Sequence, residues 1–451
     1  MDFRLKKKMI LVLLRPLRNI GGLMMQERWI AVACSVASFV GLVTHGAPKI
    51  ADNSVAVSQD EATRVVKVSY SLVDAPAVVT VNVLTNGTPV SPSAMWHVSG
   101  AVNRLVDGAG PHEILWSPDD AFPEIGEVDI SAELTVWAPD APPPYMAVDL
   151  SLTNSTLRPS RFYYADEASV PGTATNRLYK STVLLMRLVP AAEVRWRMGG
   201  PEGEVGMNDA TRETIHYVTL SSDYYIGVYP VTQLQYAIVG GGRDSTCKGP
   251  GFPDADLQPV DYCSYNELRG SSVSWPADLH KVASGSGVDL FRKHTGIASF
   301  DLPTDAQWEY ACRAGTATSL NSGRNITDAN VDAALDEVAW YRDNSGLVAH
   351  EVGLKKPNNW GLYDMHGNVL EWVLDWYSTG SADYCVEGSD VRDPKGDDAP
   401  VNKWRIQRGG GWNLNARANR SAWRGYTTPG NHWEKTQGGF GFRLVCDAVA
   451  E

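Results

Sequence analysis

The chain has 451 residues, too many for one hydrophobic core and enough for two domains behind a leader. Hydrophobic residues make up 43% and charged residues 20%, which excludes wholesale disorder. The formal charge is −12, and −17 (33 basic against 50 acidic) once residues 1–46 are set aside, so nucleic acid and anionic membrane surfaces are poor partners.

Residues 1–46 read as an export signal. A basic region (Lys6, Lys7, Lys8, Arg15, Arg18) and Glu27-Arg28 precede the uncharged stretch Trp29 to Val43. Its 15 residues fall short of the ~20 that span a bilayer, and small residues follow at Thr44 to Ala47. An uncleaved anchor is the alternative reading, and Met24 and Met25 are alternative starts. The expected location is periplasmic, extracellular or cell-surface, without membrane attachment after cleavage.

Residues 47–150 read as an all-β unit. Val65 to Leu72 and Ala77 to Leu84 are strand candidates, and the second ends at Asn86-Gly87, a hairpin turn signal. Ile114 to Trp116 and Glu127 to Trp137 add further strands. Short strands with Gly, Pro and Asn turns predict an immunoglobulin- or fibronectin-like sandwich. Ala138 to Pro144 is a linker or a rigid turn before a last strand, Tyr145 to Leu150.

A polar connecting segment, 151–181, leads to a second domain over 182–449 that opens with a strand, Thr182 to Val189. Glycine clusters at Gly240 to Gly242, Gly409 to Gly411 and Gly438 to Gly441 suit a loop-rich α+β fold. Helices are predicted at Val231 to Val239, at Ser264 to Leu268 and after Thr304, which forms a capping box with Gln307.

Five cysteines lie beyond the leader (Cys247, Cys263, Cys312, Cys385, Cys446), an odd number that leaves at least one thiol unbridged. The sequence holds no CxxC, HxxxH or HExxH spacing, so a zinc hydrolase has no support. His350, His366 and His432 read as solvated or hydrogen-bonded loop residues.

Six segments occur in a recognisable order: Met198-Gly199-Gly200; Tyr225 to Thr232; Leu302 to Tyr310; Asn359 to Trp372; Arg408 to Trp412; and Gly441 to Leu444. Together they resemble the formylglycine-generating enzyme family, also called the sulfatase-modifying factor domain. The resemblance implies that family's variant of the C-type-lectin fold. From the residues themselves, the tryptophans here belong to a core, and Arg408 and Arg443 brace carboxylates or carbonyls.

Active members of that family oxidise a sulfatase cysteine to formylglycine with a copper(I)-binding cysteine pair. The resemblance places that pair at Leu414 and Asn419, neither of which is a thiolate, and copper(I) requires soft ligands. Copper is therefore not expected. The resemblance also implies a calcium site at Asp364, Gly367, Val369 and Glu371, where two carboxylates flank two backbone carbonyls. The alternative is that Asp364 caps a turn and Glu371 pairs with an arginine such as Arg408. A second family calcium site would fall at Asn330 and Val331, after which the pattern departs. An iron site built on a histidine-rich bundle has no counterpart in the β-rich N-terminal half.

The expected protein is a non-catalytic, calcium-stabilised binding or structural module. Asn413, Asn415, Arg417, Arg420 and Arg424 are its groove candidates, for an unidentified peptide, protein or anionic ligand. The alternative is a family enzyme, either the formylglycine-generating oxidase or another chemistry in the same groove.

Overall fold

The computed structural model describes residues 47–60, 63–90, 98–118, 129–151, 161–207, 213–242, 255–278, 280–377, 388–396, 403–431 and 439–448. The expected leader, Cys247, Cys385 and His432 lie outside the described residues.

The N-terminal unit is two antiparallel sheets around one core. Val66–Val73 alternates buried and half-buried side chains, the period-two pattern of a strand with one face inward. It pairs with Gly110–Trp116 in full antiparallel register. Ala77–Thr85 anchors the other sheet and pairs with Ile130–Trp137. Asn86 (φ 50°) and Gly87 (φ 75°) are both left-handed, as a two-residue hairpin turn requires. Val66, Val68, Tyr70, Val79, Val81 and Trp116 meet between the sheets.

Tyr145–Asp149 corrects the expected boundary at residue 150. This strand leaves the first unit and lies between Arg161–Tyr164 and Val183–Val189 in the second domain's sheet. The crossover is therefore at Ala138 to Pro144, the proline-rich run. That sheet continues through Tyr224–Gly227 to Val445–Asp447, so both ends of the domain meet in it.

A second sheet has the order Gly425–Thr427, Trp404–Arg408, Leu370–Tyr377, Phe440–Gly441, and a three-stranded sheet carries Arg195–Met198. The Asp305–Arg313 helix is buried among them; Thr304 accepts from the Gln307 amide in the expected capping box. Capping boxes also start the helices Gln233–Ile238 (Thr232, Gln235) and Tyr265–Arg269 (Ser264, Glu267). Gly287–Thr295 is a further helix, closed by left-handed Gly296. Long stretches between these elements have no regular structure, and their polar backbone groups are held by side chains instead.

Candidate functional site

The six signature segments converge on the Asp305–Arg313 helix. Helical spacing sets Asp305, Glu309 and Arg313 on one face, one turn apart. Arg408, at the end of Trp404–Arg408, reaches that face. Its Nε donates to Asp305, its Nη2 donates to Glu309 Oε2 at 2.7 Å, and its Nη1 donates to the carbonyls of Ser421 (2.9 Å) and Trp423 (3.0 Å). The other Glu309 oxygen accepts from Arg313 Nε and from the Gly199 amide, each at 2.8 Å. Burial alone would raise the Glu309 carboxyl, but Arg313 and Arg408 hold it below the usual carboxylate range.

A second cluster continues from the same helix. Trp308 Nε1 donates to Glu371 Oε2 at 2.7 Å. Arg443 grips Glu371 through Nε (3.1 Å) and Nη2 (2.9 Å), then reaches the carbonyls of Gly227 (2.7 Å) and Tyr363 (2.8 Å). Each signature segment thus contributes at least one partner to two linked networks. The ions in them are paired and buried, an arrangement that ties loops together.

The Gly409 to Gly411 turn lies beside this helix. Gly410 is left-handed (φ 78°), and a Cβ there would sit 2.2 Å from Asn419 Oδ1, so only glycine fits. Asn419 is fully buried; its Nδ2 donates to the Asn415 carbonyl at 2.8 Å. Leu414 is half-buried against an apolar cluster, and its carbonyl accepts from the Arg342 amide at 3.1 Å. The two positions at which the resemblance implied thiols, 414 and 419, hold a packing side chain and a turn-bracing amide.

The groove candidates separate into two groups. Asn413 Oδ1 is buried without a hydrogen-bond partner, Asn415 Nδ2 donates to Asn330 Oδ1 at 3.0 Å, and Arg417 is exposed. Arg420 and Arg424 are corrections: neither lines a groove. Arg420 is fully buried between Glu204 and Glu213, with Nη1 2.7 Å from Glu213 Oε2. Arg424 is buried with Nη2 2.8 Å from Asp305 Oδ2. Their carboxylate partners lie far away in sequence, so the run read as a groove lining although these two arginines are interior.

Asn330 and Val331 sit on a loop whose Asp328 carboxylate accepts from both of their amides. His366 is buried and bridges two loops. Its Nδ1 lies 2.7 Å from the Asn419 carbonyl and its Nε2 accepts from the Asn321 amide at 2.9 Å, which fixes the tautomer. Burial brings its pKa down to about 4, so it is neutral. His350 stacks on Trp340 at 3.9 Å.

At the implied calcium position, Asp364 Oδ2 accepts from the Gly353 amide at 2.7 Å, while its Oδ1 is buried without a partner. Glu371 pairs with Arg443, not Arg408, yet its Oε1 accepts only one hydrogen bond. Each carboxylate therefore retains a lone pair of the kind a hard cation takes. Among the described residues no group of three or more His, Cys, Asp or Glu side chains is placed to hold a metal, so backbone carbonyls such as those of Gly367 and Val369 would have to contribute. Cys263, Cys312 and Cys446 are buried and unbridged. Burial pushes the Cys312 thiol up to about 12, far from a reactive thiolate.

Among the described residues no helix is long and apolar enough to cross a membrane. The chain is 28% identical over 236 residues to the chaperone protein LppX of Paenibacillus barcinonensis, covering 43% of this chain and 71% of that protein. It is 28% identical over 155 residues to the formylglycine-generating enzyme of Bos taurus, covering 32% of this chain and 38% of the enzyme. The match to the enzyme thus spans well under half of its length. Among solved structures, Treponema denticola variable protein 1 shares 28% identity, with a TM-score of 0.44, over 59% of this chain and 96% of that one. Residues 198–448, more than half of the chain, match the sulfatase-modifying factor enzyme 1-like domain, and the chain belongs to that family.

Proposed function

We propose that this protein is an exported binding or structural module of the sulfatase-modifying factor family, stabilised by calcium and without formylglycine-generating oxidase activity. One observation supports the reading: Asn419, which with Leu414 occupies the positions the resemblance assigns to the copper(I) thiolates, is fully buried in a turn-bracing role. The protonated, buried Cys312 offers no substitute. Calcium would draw on Asp364 and Glu371, each of which keeps an open lone pair, and would supply charge compensation in the core. The N-terminal sheets, read as an immunoglobulin- or fibronectin-like unit, serve as spacer or docking element.

A second reading keeps an enzyme with different chemistry in the same groove. It is favoured by Asn413 Oδ1, a buried acceptor without a partner beside the Gly409 to Gly411 turn, and by the exposed Arg417 nearby. A peptide, protein or anionic ligand could meet both.

Incubation of the full chain with copper(I), oxygen and a Cys-x-Pro-x-Arg peptide tests the first reading. Mass spectrometry is expected to find no aldehyde product; aldehyde formation above a protein-free control would overturn it.

A further inference from the structure

Buried arginines in this fold come with a carboxylate. Arg269 has Asp301, Arg408 has Asp305 and Glu309, Arg420 has Glu213, and Arg443 has Glu371. Arg405 is the exception among them. It is 1% exposed and makes no salt bridge among the described residues. Its single hydrogen bond there runs from Nη1 to the Leu374 carbonyl at 2.5 Å. Asp375 attracts it electrostatically without closing to an ion pair. The aromatic rings of Trp376 (3.2 Å) and Tyr265 (4.3 Å) lie against the guanidinium.

What Arg405 leaves open is specific. Its Nε is buried without a partner, and Nη2 donates to nothing among the described residues. Nε and Nη2 form one edge of the guanidinium, the edge by which Arg443 holds both oxygens of Glu371. Trp376 Nε1 is a second buried donor without an acceptor. Arg405 and Trp376 both line a cavity of about 460 Å³, together with Lys403, Tyr265, Asn266 and Ser272. No acidic side chain lines it among the described residues, and Lys403 is exposed. In a chain of net charge −12, two cations lining one cavity with no carboxylate among its described lining residues mark a place for an anion.

We propose that this cavity binds an organic oxyanion, a carboxylate or sulfate ester carried on a flat ring. The oxyanion takes the Nε–Nη2 edge of Arg405, Lys403 adds charge at the mouth, and the ring packs beside Trp376 and Tyr265. The site is separate from the 413–424 segment and stands whether or not the domain catalyses a reaction.

Calorimetric titration of the full chain at constant ionic strength, with tryptophan fluorescence as a second readout, tests this. The probes are benzoate and phenyl sulfate, with benzyl alcohol as the uncharged control. Saturable binding of benzoate or phenyl sulfate is expected, and the tighter of the two identifies the oxyanion. Arg405→Gln should weaken it about tenfold or more, and Lys403→Ala about two- to fivefold, since a bidentate buried contact outweighs an exposed charge. Should Arg405→Gln fail to fold, Lys403→Ala and Lys403→Glu must still give graded losses. No saturable binding, equal affinity for benzyl alcohol, or indifference to the Lys403 variants overturns the proposal.

Discussion

Arg443 closes on Glu371 with two hydrogen bonds, Nε at 3.1 Å and Nη2 at 2.9 Å, in a pair with no access to water. The two residues are 72 positions apart, and the same guanidinium also holds the carbonyls of Gly227 and Tyr363. One side chain therefore fixes three chain segments that have little secondary structure of their own. Losing either partner strands a charge in the interior, which costs about 3–5 kcal/mol. Arg443→Met is expected to lower the unfolding free energy by that amount in urea titrations. Arg443→Met with Glu371→Met should lose less than the two single changes added together, because neither charge is then left alone. Additive losses would mean that the pair is not coupled.

Asp375 gives the pH dependence. Burial, reinforced by the neighbouring Asp305 charge, pushes its carboxyl up to about 7, against 3.8 for the free side chain. Between those values the folded chain holds a proton that the unfolded chain has released. The contribution of Asp375 to stability is therefore full below about pH 4 and falls as pH rises towards 7. Asp375→Asn keeps an acceptor for the Asp305 amide, now 2.7 Å from Asp375 Oδ2, and removes the titration. The variant should melt higher than the parent at pH 8 and show no such gain at pH 4. An equal shift at both pH values would refute the assignment.

Gly410→Ala tests the turn that carries the family position Asn419. The new Cβ would meet the Asn419 side chain at 2.2 Å in a backbone region with φ 78°. Both effects oppose folding, and a loss of about 1–3 kcal/mol is expected from strain of this kind. Gly323→Ala is the control: it shares the left-handed backbone (φ 79°) but has nothing within 4 Å of the added carbon. If the two variants lose the same stability, the close approach to Asn419 is immaterial.

Calcium should raise the melting temperature of the full chain in a concentration-dependent way, and a chelator should reverse it. Asp364→Asn removes the anionic oxygen that now has no partner and should weaken this response about tenfold or more, as loss of one anionic ligand implies. A melting temperature indifferent to both calcium and chelator would remove calcium from the proposed function.

Local signals were legible where a short stretch of chain carries its own instruction. Asn86-Gly87 turns a hairpin because both residues accept positive φ, and Thr304 starts a helix because its side chain satisfies the amide three residues on. The six signature segments, likewise, were sufficient to place the second domain in its family. The helix Gly287–Thr295 carried a weaker signal: its N-cap, Ser286, makes no side-chain capping bond.

Sequence by itself determined the family, the period-two strands, the capped helices and the absence of thiols at positions 414 and 419. Tertiary structure alone decided which polar residues are interior. Arg420 and Arg424 sit in a run that reads as a groove lining, yet their carboxylates arrive from Glu213 and Asp305, more than a hundred residues earlier. The same holds for the strand Tyr145–Asp149, assigned to the first unit by proximity in sequence and to the second by pairing. Ion pairs and sheet partners are non-local: an arginine's spacing says nothing of whether a carboxylate will meet it, and Arg405 stands apart only once its neighbours have found theirs.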